Sequence, residues 1–398
     1  MLNKLKLHLP VYNLLFVLLF LFTACSNWQT RSKDLSDFTS RDQSYAKSVL
    51  SVEWRQNLGK STFPLQSPSF SSGVAIHPKD PFVAVAGYDG KLRMIHQKTG
   101  NLIWTKKIKA VGIAKPLILD DIIYLCTEDG KLSAIDLQSK ETLWIKQFSA
   151  PINHEIIYDD QQIYVSDGTN SIYAIHRYQG DWQWQRKREA PVEFSMHGHA
   201  VPVYHQGKIL MGFSDGHLSF IDAQSGQIVW DQDLSPDHDR FEDVDADAVV
   251  IGDVVYAASI ASGLYALQLS DGKVLWSYPL PGIVSLSRID DTLLLGLQNG
   301  EMLRWNPTTK SSIYRIQFDE DGVPQRPVLI GPYVMVSLSR GGFYVFDQKD
   351  GKIRDIFSPG SPMSKHISTT ADGWVYVSSQ NGYLYAFSHR ELQAMIVH

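Results

Sequence analysis

Cysteine is almost absent: the 398 residues hold two, Cys25 and Cys126. A disulfide framework, a multi-cysteine zinc site and a vicinal-thiol redox centre are thereby excluded. Cys126 lies in the alternating run "DIIYLCT" and reads as a small buried apolar residue. No basic block interrupts the sequence, and 37 Lys and Arg stand against 42 Asp and Glu. A net charge of -5 gives no electrostatic footprint for nucleic acid. No nucleophile elbow, P-loop or zinc signature occurs. Asp243, Asp245 and Asp247 imitate the start of a calcium loop, but Ala248 stands where the turn needs Gly and Val254 where the bidentate Glu belongs. His197 and His199, in "MHGH", find no third ligand placed to complete a metal set. We therefore expect neither a metal nor a cofactor, and no catalysis.

Long apolar runs are equally scarce. The one that stands out, "LLFVLLFLF" from Leu14 to Phe22, follows Lys4 and Lys6 and is too short for a membrane span, which needs about 20 residues. A basic start, a short apolar run and small residues after it define a secretory signal peptide, here residues 1–24. The run ends "LFTAC", which resembles the lipobox of bacterial lipoproteins, with Phe22 where that pattern usually has Leu. The resemblance implies cleavage before Cys25 and lipidation of its thiol. It also implies an anchor in the outer membrane on the periplasmic side, because Ser26 replaces the Asp that favours the inner membrane. Loss of Lys4 and Lys6 with the peptide takes the net charge from -5 to -7. The polar, aperiodic residues from Cys25 to Leu50 read as a tether.

What is abundant is repetition. Eight units follow, among them "EDGKLSAIDLQSKETLW", "SDGHLSFIDAQSGQIVW" and "SQNGYLYAFSHREL". Gly90, Gly130, Asn170, Gly216, Gly263, Gly300, Gly342 and Gly382 mark equivalent turns spaced 37 to 47 residues apart. Periods of this size mark propellers and related arrays. Within each unit two alternating runs flank an Asp-Gly or Asn-Gly type turn, the strongest local hairpin signal. A preceding run and a Trp-bearing following run bring each unit to four strands. The fold expected for residues 51–398 is all-β, an eight-bladed β-propeller of four-stranded antiparallel blades. Trp104, Trp144, Trp184, Trp230 and Trp276 occupy one place in successive units, with Tyr314 and Phe357 in the sixth and seventh. Spacing that serves every blade alike points to packing between twisted sheets, not to one site. The eighth unit lacks this outer strand, and "WRQNL" from Trp54 to Leu58 supplies its form. The N-terminal strand is therefore expected to pair into the last blade and close the ring.

"AIDLQSKETLW", "FIDAQSGQIVW" and "ALQLSDGKVLW" resemble the pyrroloquinoline quinone (PQQ) type of propeller repeat. Together with the lipobox and eight units, the chain resembles the BamB-like lipoproteins of the machinery that assembles β-barrels in the outer membrane. From Trp104 onward two consecutive connections are longer than the rest, "RKREAPVEFSMHGHAVP" and "SPDHDRFEDVDADA"; the interval from Trp54 to Gly90 is longer still, but part of it is the hairpin extension "SSGVAIHPKD", and insertions on one face of a propeller commonly form its binding surface. In BamB-like proteins a "D-R-x-x-D-V-D" loop and a neighbouring apolar-Gly loop contact a POTRA domain of the barrel protein BamA. "DRFEDVD" places Arg240, Asp243 and Asp245 on that motif. Phe194, Met196 and His197 fit the neighbouring loop, where the family tends to have Leu and Arg. The resemblance implies a non-enzymatic scaffold that docks on BamA, meets other machine components and assists unfolded outer-membrane clients. The alternative from the same repeat is a periplasmic PQQ-dependent dehydrogenase, which would need calcium on the propeller axis.

Overall fold

The computed structural model describes residues 49–59, 72–152, 154–188, 200–235, 243, 244 and 246–389. The segment read as a signal peptide, Cys25 and the tether up to residue 48 lie outside them. Among the described residues, thirty-two strands pair into eight four-stranded antiparallel sheets, the eight-bladed propeller that the repeats predict. Blade one comprises Val74–Ile76, Phe82–Ala86, Lys91–His96 and Leu102–Lys107, running from the axis to the rim. Blades two to seven follow the same up-and-down order.

Blade eight is assembled from both ends of the described chain. Ser368–Thr369, Trp374–Ser379 and Tyr383–His389 form its inner three strands, and Leu50–Asn57 is its outermost. Trp54 lies opposite Ala386, so the ring closes as expected, with the strand starting slightly earlier than the motif suggested. Closure leaves no blade without its fourth strand, and only the short rim edges stay open.

The hairpin turns explain why Gly and Asn recur. Asn170 has a φ of 57° and Gly130 one of 74°, the left-handed region that a tight two-residue turn requires. Gly342 differs, since it does not adopt a positive φ. There a Cβ would lie 1.9 Å from the Phe357 carbonyl oxygen, so close backbone approach, not handedness, requires Gly.

Each blade is sandwiched between two others, so its middle strands are buried on both faces. Ile122–Cys126, Tyr333–Ser337 and Trp374–Ser379 have every residue buried, despite the alternation their sequences suggested. Cys126 is among them, and burial pushes its thiol up to about 12. The apolar residues form wedge-shaped clusters between adjacent blades, as between blades two and three around Tyr124, Leu132, Ile163 and Tyr173. Outer strands begin with two exposed residues and alternate only around the edge aromatic, which leaves Leu102, Ile103, Ile145 and Ile228 half-exposed.

The edge aromatics fasten one blade to the next. Trp144 Nε1 donates to the Arg177 carbonyl at 3.1 Å, and Tyr124 Oη reaches the same oxygen at 3.0 Å. Trp54, Trp184 and Trp230 make the corresponding bonds to Gln97, Ala223 and Leu269 at 2.9 Å. Each ring lies over the turn between the third and fourth strands of the following blade, so close that a Cβ on Gly180 would sit 2.7 Å from Trp144. Where that turn carries Lys, the side chain caps the ring instead: Lys310 Nζ lies 4.9 Å from the Trp276 centroid.

The seventh blade departs from the expectation for Phe357. Cross-strand rows run Leu117–Tyr124–Ala134–Trp144 in blade two and Val328–Met335–Val345–Asp355 in blade seven. Asp355, not Phe357, therefore holds the edge position. The reason is the closure itself: blade eight has no turn between its third and fourth strands, so an aromatic there would have nothing to cover. Asp355 Oδ2 instead accepts from the Leu50 N–H at 3.0 Å, at the start of the closing strand. Phe357, two residues on, fills the seam against Phe387 and Tyr385 with centroids 4.8 and 5.1 Å away.

Candidate functional site

The two long connections leave the fourth strands of blades three and four and return to the first strands of blades four and five. Of the residues expected to dock a partner, Phe194, Met196, His197, Arg240 and Asp245 lie outside the described residues, as does Cys25. His199, the second His of "MHGH", lies outside them as well. Asp243 is described, and it is buried, with 2% of its surface exposed. Its carbonyl accepts from the Ile260 N–H at 3.2 Å. Asp243 thus belongs to the base of its loop.

Both loops spring from one platform, the central hairpin of blade four. At the start of the first loop, Arg188 reaches over the Phe213 ring with its guanidinium carbon 5.4 Å from the centroid. Its Nε donates to Asp215 Oδ2 at 2.6 Å and its Nη1 to both Asp231 oxygens at 3.0 Å. Burial works against this charge, but Asp215 and Asp231 outweigh it and hold the guanidinium protonated above its usual range. Asp231 also binds His217 Nδ1 at 2.9 Å and the Ser219 hydroxyl. At the end of the second loop, the Val244 N–H donates to the Phe213 carbonyl at 3.2 Å, and a Cβ on Gly212 would lie 2.5 Å from the Val244 carbonyl oxygen. The returning ends are tied together as well, since the Val201 N–H donates to Asp247 Oδ1 at 2.8 Å.

Sequence reasoning missed Arg188, Phe213, Asp215 and Asp231. The only available signal was position: Arg188 opens the first long connection and Asp215 sits in the hairpin between the two. Neither carries a motif.

A second polar cluster lies at the axis, where Arg326 pairs with Glu155 at 3.5 Å and Asp247 at 3.4 Å. A calcium ion requires six to eight oxygen ligands. The two axial carboxylates share one guanidinium between them and bring far fewer than six oxygens together, so these residues do not suit a PQQ–calcium centre. The adjoining cavity, about 260 Å³ between the inner strands of blades three and four, falls below the size of typical cofactor sites. Among the described residues one further group has metal-like spacing, His77, Asp80 and Asp121. His77 Nδ1 accepts the Asp80 N–H at 2.8 Å and Nε2 faces Asp121 at 3.0 Å, which commits both nitrogens to holding a turn.

Comparison with known proteins places this architecture. The family model described as "Outer membrane protein assembly factor BamB" matches residues 51–147 and 127–315. Curated assembly factors of that name from Salmonella typhimurium and Escherichia coli are each 26% identical, over 199 and 209 residues, covering 49% of this chain and 51% of theirs. The chain spans about half the length of the curated relatives it matches. The crystal structure of BamB from Moraxella catarrhalis superposes with a TM-score of 0.71 at 18% identity, covering 85% of this chain and all of the other. Quinohemoprotein alcohol dehydrogenase from Comamonas testosteroni superposes with a TM-score of 0.68 at 12% identity, over 87% of this chain and 78% of the other. At such identities these likenesses speak to fold alone.

Proposed function

Since the chain belongs to the outer membrane protein assembly factor BamB family, we propose that it is a non-enzymatic scaffold lipoprotein of the β-barrel assembly machinery that docks on a POTRA domain of BamA. In this reading Cys25 carries the lipid, residues 25–50 are the tether, and the propeller works on the periplasmic side of the outer membrane. The single observation that supports docking is the shared platform on blade four. It joins the only pair of consecutive long connections, and one of these carries "DRFEDVD". Arg240 and Asp245 supply charge to the partner, Phe194, Met196 and His197 supply the neighbouring contact, and buried Asp243 holds the loop. Apolar anchors beside charge suit a protein interface.

The rim suits unfolded clients. Half-exposed Leu102, Ile145 and Ile228 lie on open edge strands, where an extended chain can add main-chain hydrogen bonds. The dehydrogenase reading draws no support from the axial residues, whose carboxylates are paired with Arg326.

Co-purification with BamA tests the docking. Arg240→Glu with Asp245→Arg is expected to abolish association while leaving the melting temperature unchanged. Full association of that variant would overturn the assignment.

A further inference from the structure

The cross-strand rows make positions in different blades comparable. Two residues before the first member of each row stand, in blade order, Gly73, Lys115, Glu155, Val201, Asp247, Ser285, Arg326 and His366. These eight positions form one ring around the axis. Neighbours in it are closely spaced: a Cβ on Gly73 would lie 2.6 Å from Lys115 Cβ and 2.7 Å from His366 Cβ. Arg326 and Glu155 belong to blades seven and three, which face each other across the ring, yet they pair at 3.5 Å. The ring is therefore narrow enough for side chains to span it. It remains wet, since Arg326 keeps 47% of its side-chain surface accessible and Glu155 keeps 28%.

Charge is unevenly distributed around this ring. Arg326 satisfies both carboxylates, and Glu155 also takes His366 Nδ1 at 3.3 Å. Lys115 and Lys365 stand beyond ion-pairing distance of a carboxylate among the described residues, although Glu155 attracts both at longer range and Asp247 attracts Lys365; burial holds the Lys365 ammonium below its usual range despite them, while its side chain keeps solvent contact. Both lie within electrostatic reach of His366, and together with burial they hold its imidazole below the usual range despite Glu155. His366 is 4% exposed, and its Nε2 has no hydrogen-bond partner. With Nδ1 donating to Glu155, Nε2 is an acceptor that lacks a donor. A buried acceptor left in this way is costly unless something donates to it.

A group that answers both needs carries negative charge for the lysines and an O–H for the imidazole. Hydrogen phosphate has both, and it is compact enough to reach the lysines and the imidazole together within a ring that Arg326 and Glu155 already span. We propose that the axial ring is a binding site for a small protonated oxyanion of the phosphate class, with Lys115, Lys365 and Arg326 supplying counter-charge and His366 Nε2 accepting its O–H.

Sulfate has the same shape but no proton near neutral pH, which makes it the discriminating probe. Calorimetric titration of the purified full-length chain with inorganic phosphate at pH 7.5 is expected to show one saturable site. Sulfate at matched ionic strength is expected to bind at least about tenfold more weakly, the loss of one hydrogen bond involving a charged group. Lys365→Met removes an exposed side chain and so leaves the fold intact. It is expected to weaken phosphate binding about tenfold or more, whereas Lys273→Met at the rim leaves it unchanged. Phosphorus NMR line broadening of phosphate by wild type, absent with Lys365→Met, is the second readout. No saturable phosphate binding, or equal binding of both anions that Lys365→Met leaves untouched, would overturn the site.

Discussion

An ordinary seam between blades and the seam between blades seven and eight face the same packing problem with different groups. In the ordinary seam a Trp covers the turn of the next blade and donates to its carbonyl, as Trp144 does at Arg177. In the closing seam that turn does not exist, because the two strands it would join come from opposite ends of the described chain. Asp355 caps the start of the closing strand and Phe357 fills the wedge. The difference teaches that the edge aromatic is tied to the turn it covers, not to the blade that carries it. Removing the turn removes the reason for the Trp.

The largest break in this comparison comes from the closing strand itself. Deleting residues 50–57 opens blade eight and exposes Ala386 and its neighbours along a full edge. Thermal melting is expected to lose its cooperative transition, and an unchanged melting temperature would refute the closure. Next comes an ordinary seam: Trp144→Ala leaves a cavity over Gly180 and takes one of the two donors from the Arg177 carbonyl, at a cost of about 3–5 kcal/mol in denaturant unfolding. Asp355→Ala removes one hydrogen bond from the closing seam and is expected to cost only about 1 kcal/mol. A loss as large as that of Trp144→Ala would mean that Asp355 carries the seam alone. The smallest effect is on Cys126, which lies in the doubly buried middle strand of blade two. Its thiol is expected to resist alkylation until the protein unfolds, and rapid labelling of the native chain would contradict that burial.

Most of the fold is legible in the sequence because it repeats. Turn residues at fixed spacing give the blade count, and "WRQNL" standing ahead of the first hairpin gives the closure. Phe357 was misplaced because the seventh unit carries Asp355 at the edge position, and the nearest aromatic along the chain, two residues on, belongs to a different cross-strand row. The axial ring was illegible for a related reason. Its members, Lys115, Glu155, Asp247, Arg326 and His366, share no residue type and become equivalent only when cross-strand rows are aligned. The platform under the two loops was half legible: length singled out the connections, but Arg188 meeting Asp215 and Asp231 depends on pairing between blades. Motif matching placed Asp243 with its loop but could not tell that it is buried.

Positions that recur in each blade hold the ring together, and those that do not recur are the ones assigned to partners. The direct test sets one of each side by side in a quantitative pull-down with BamA. Arg188→Ala, which frees the base of the first loop, is expected to reduce association at least about tenfold, as the loss of a charged, hydrogen-bonded anchor for a docking loop does. Trp144→Phe, which weakens a recurring seam, is expected to leave association unchanged while lowering the melting temperature. Full association of Arg188→Ala, with the loss appearing in Trp144→Phe, would contradict the account.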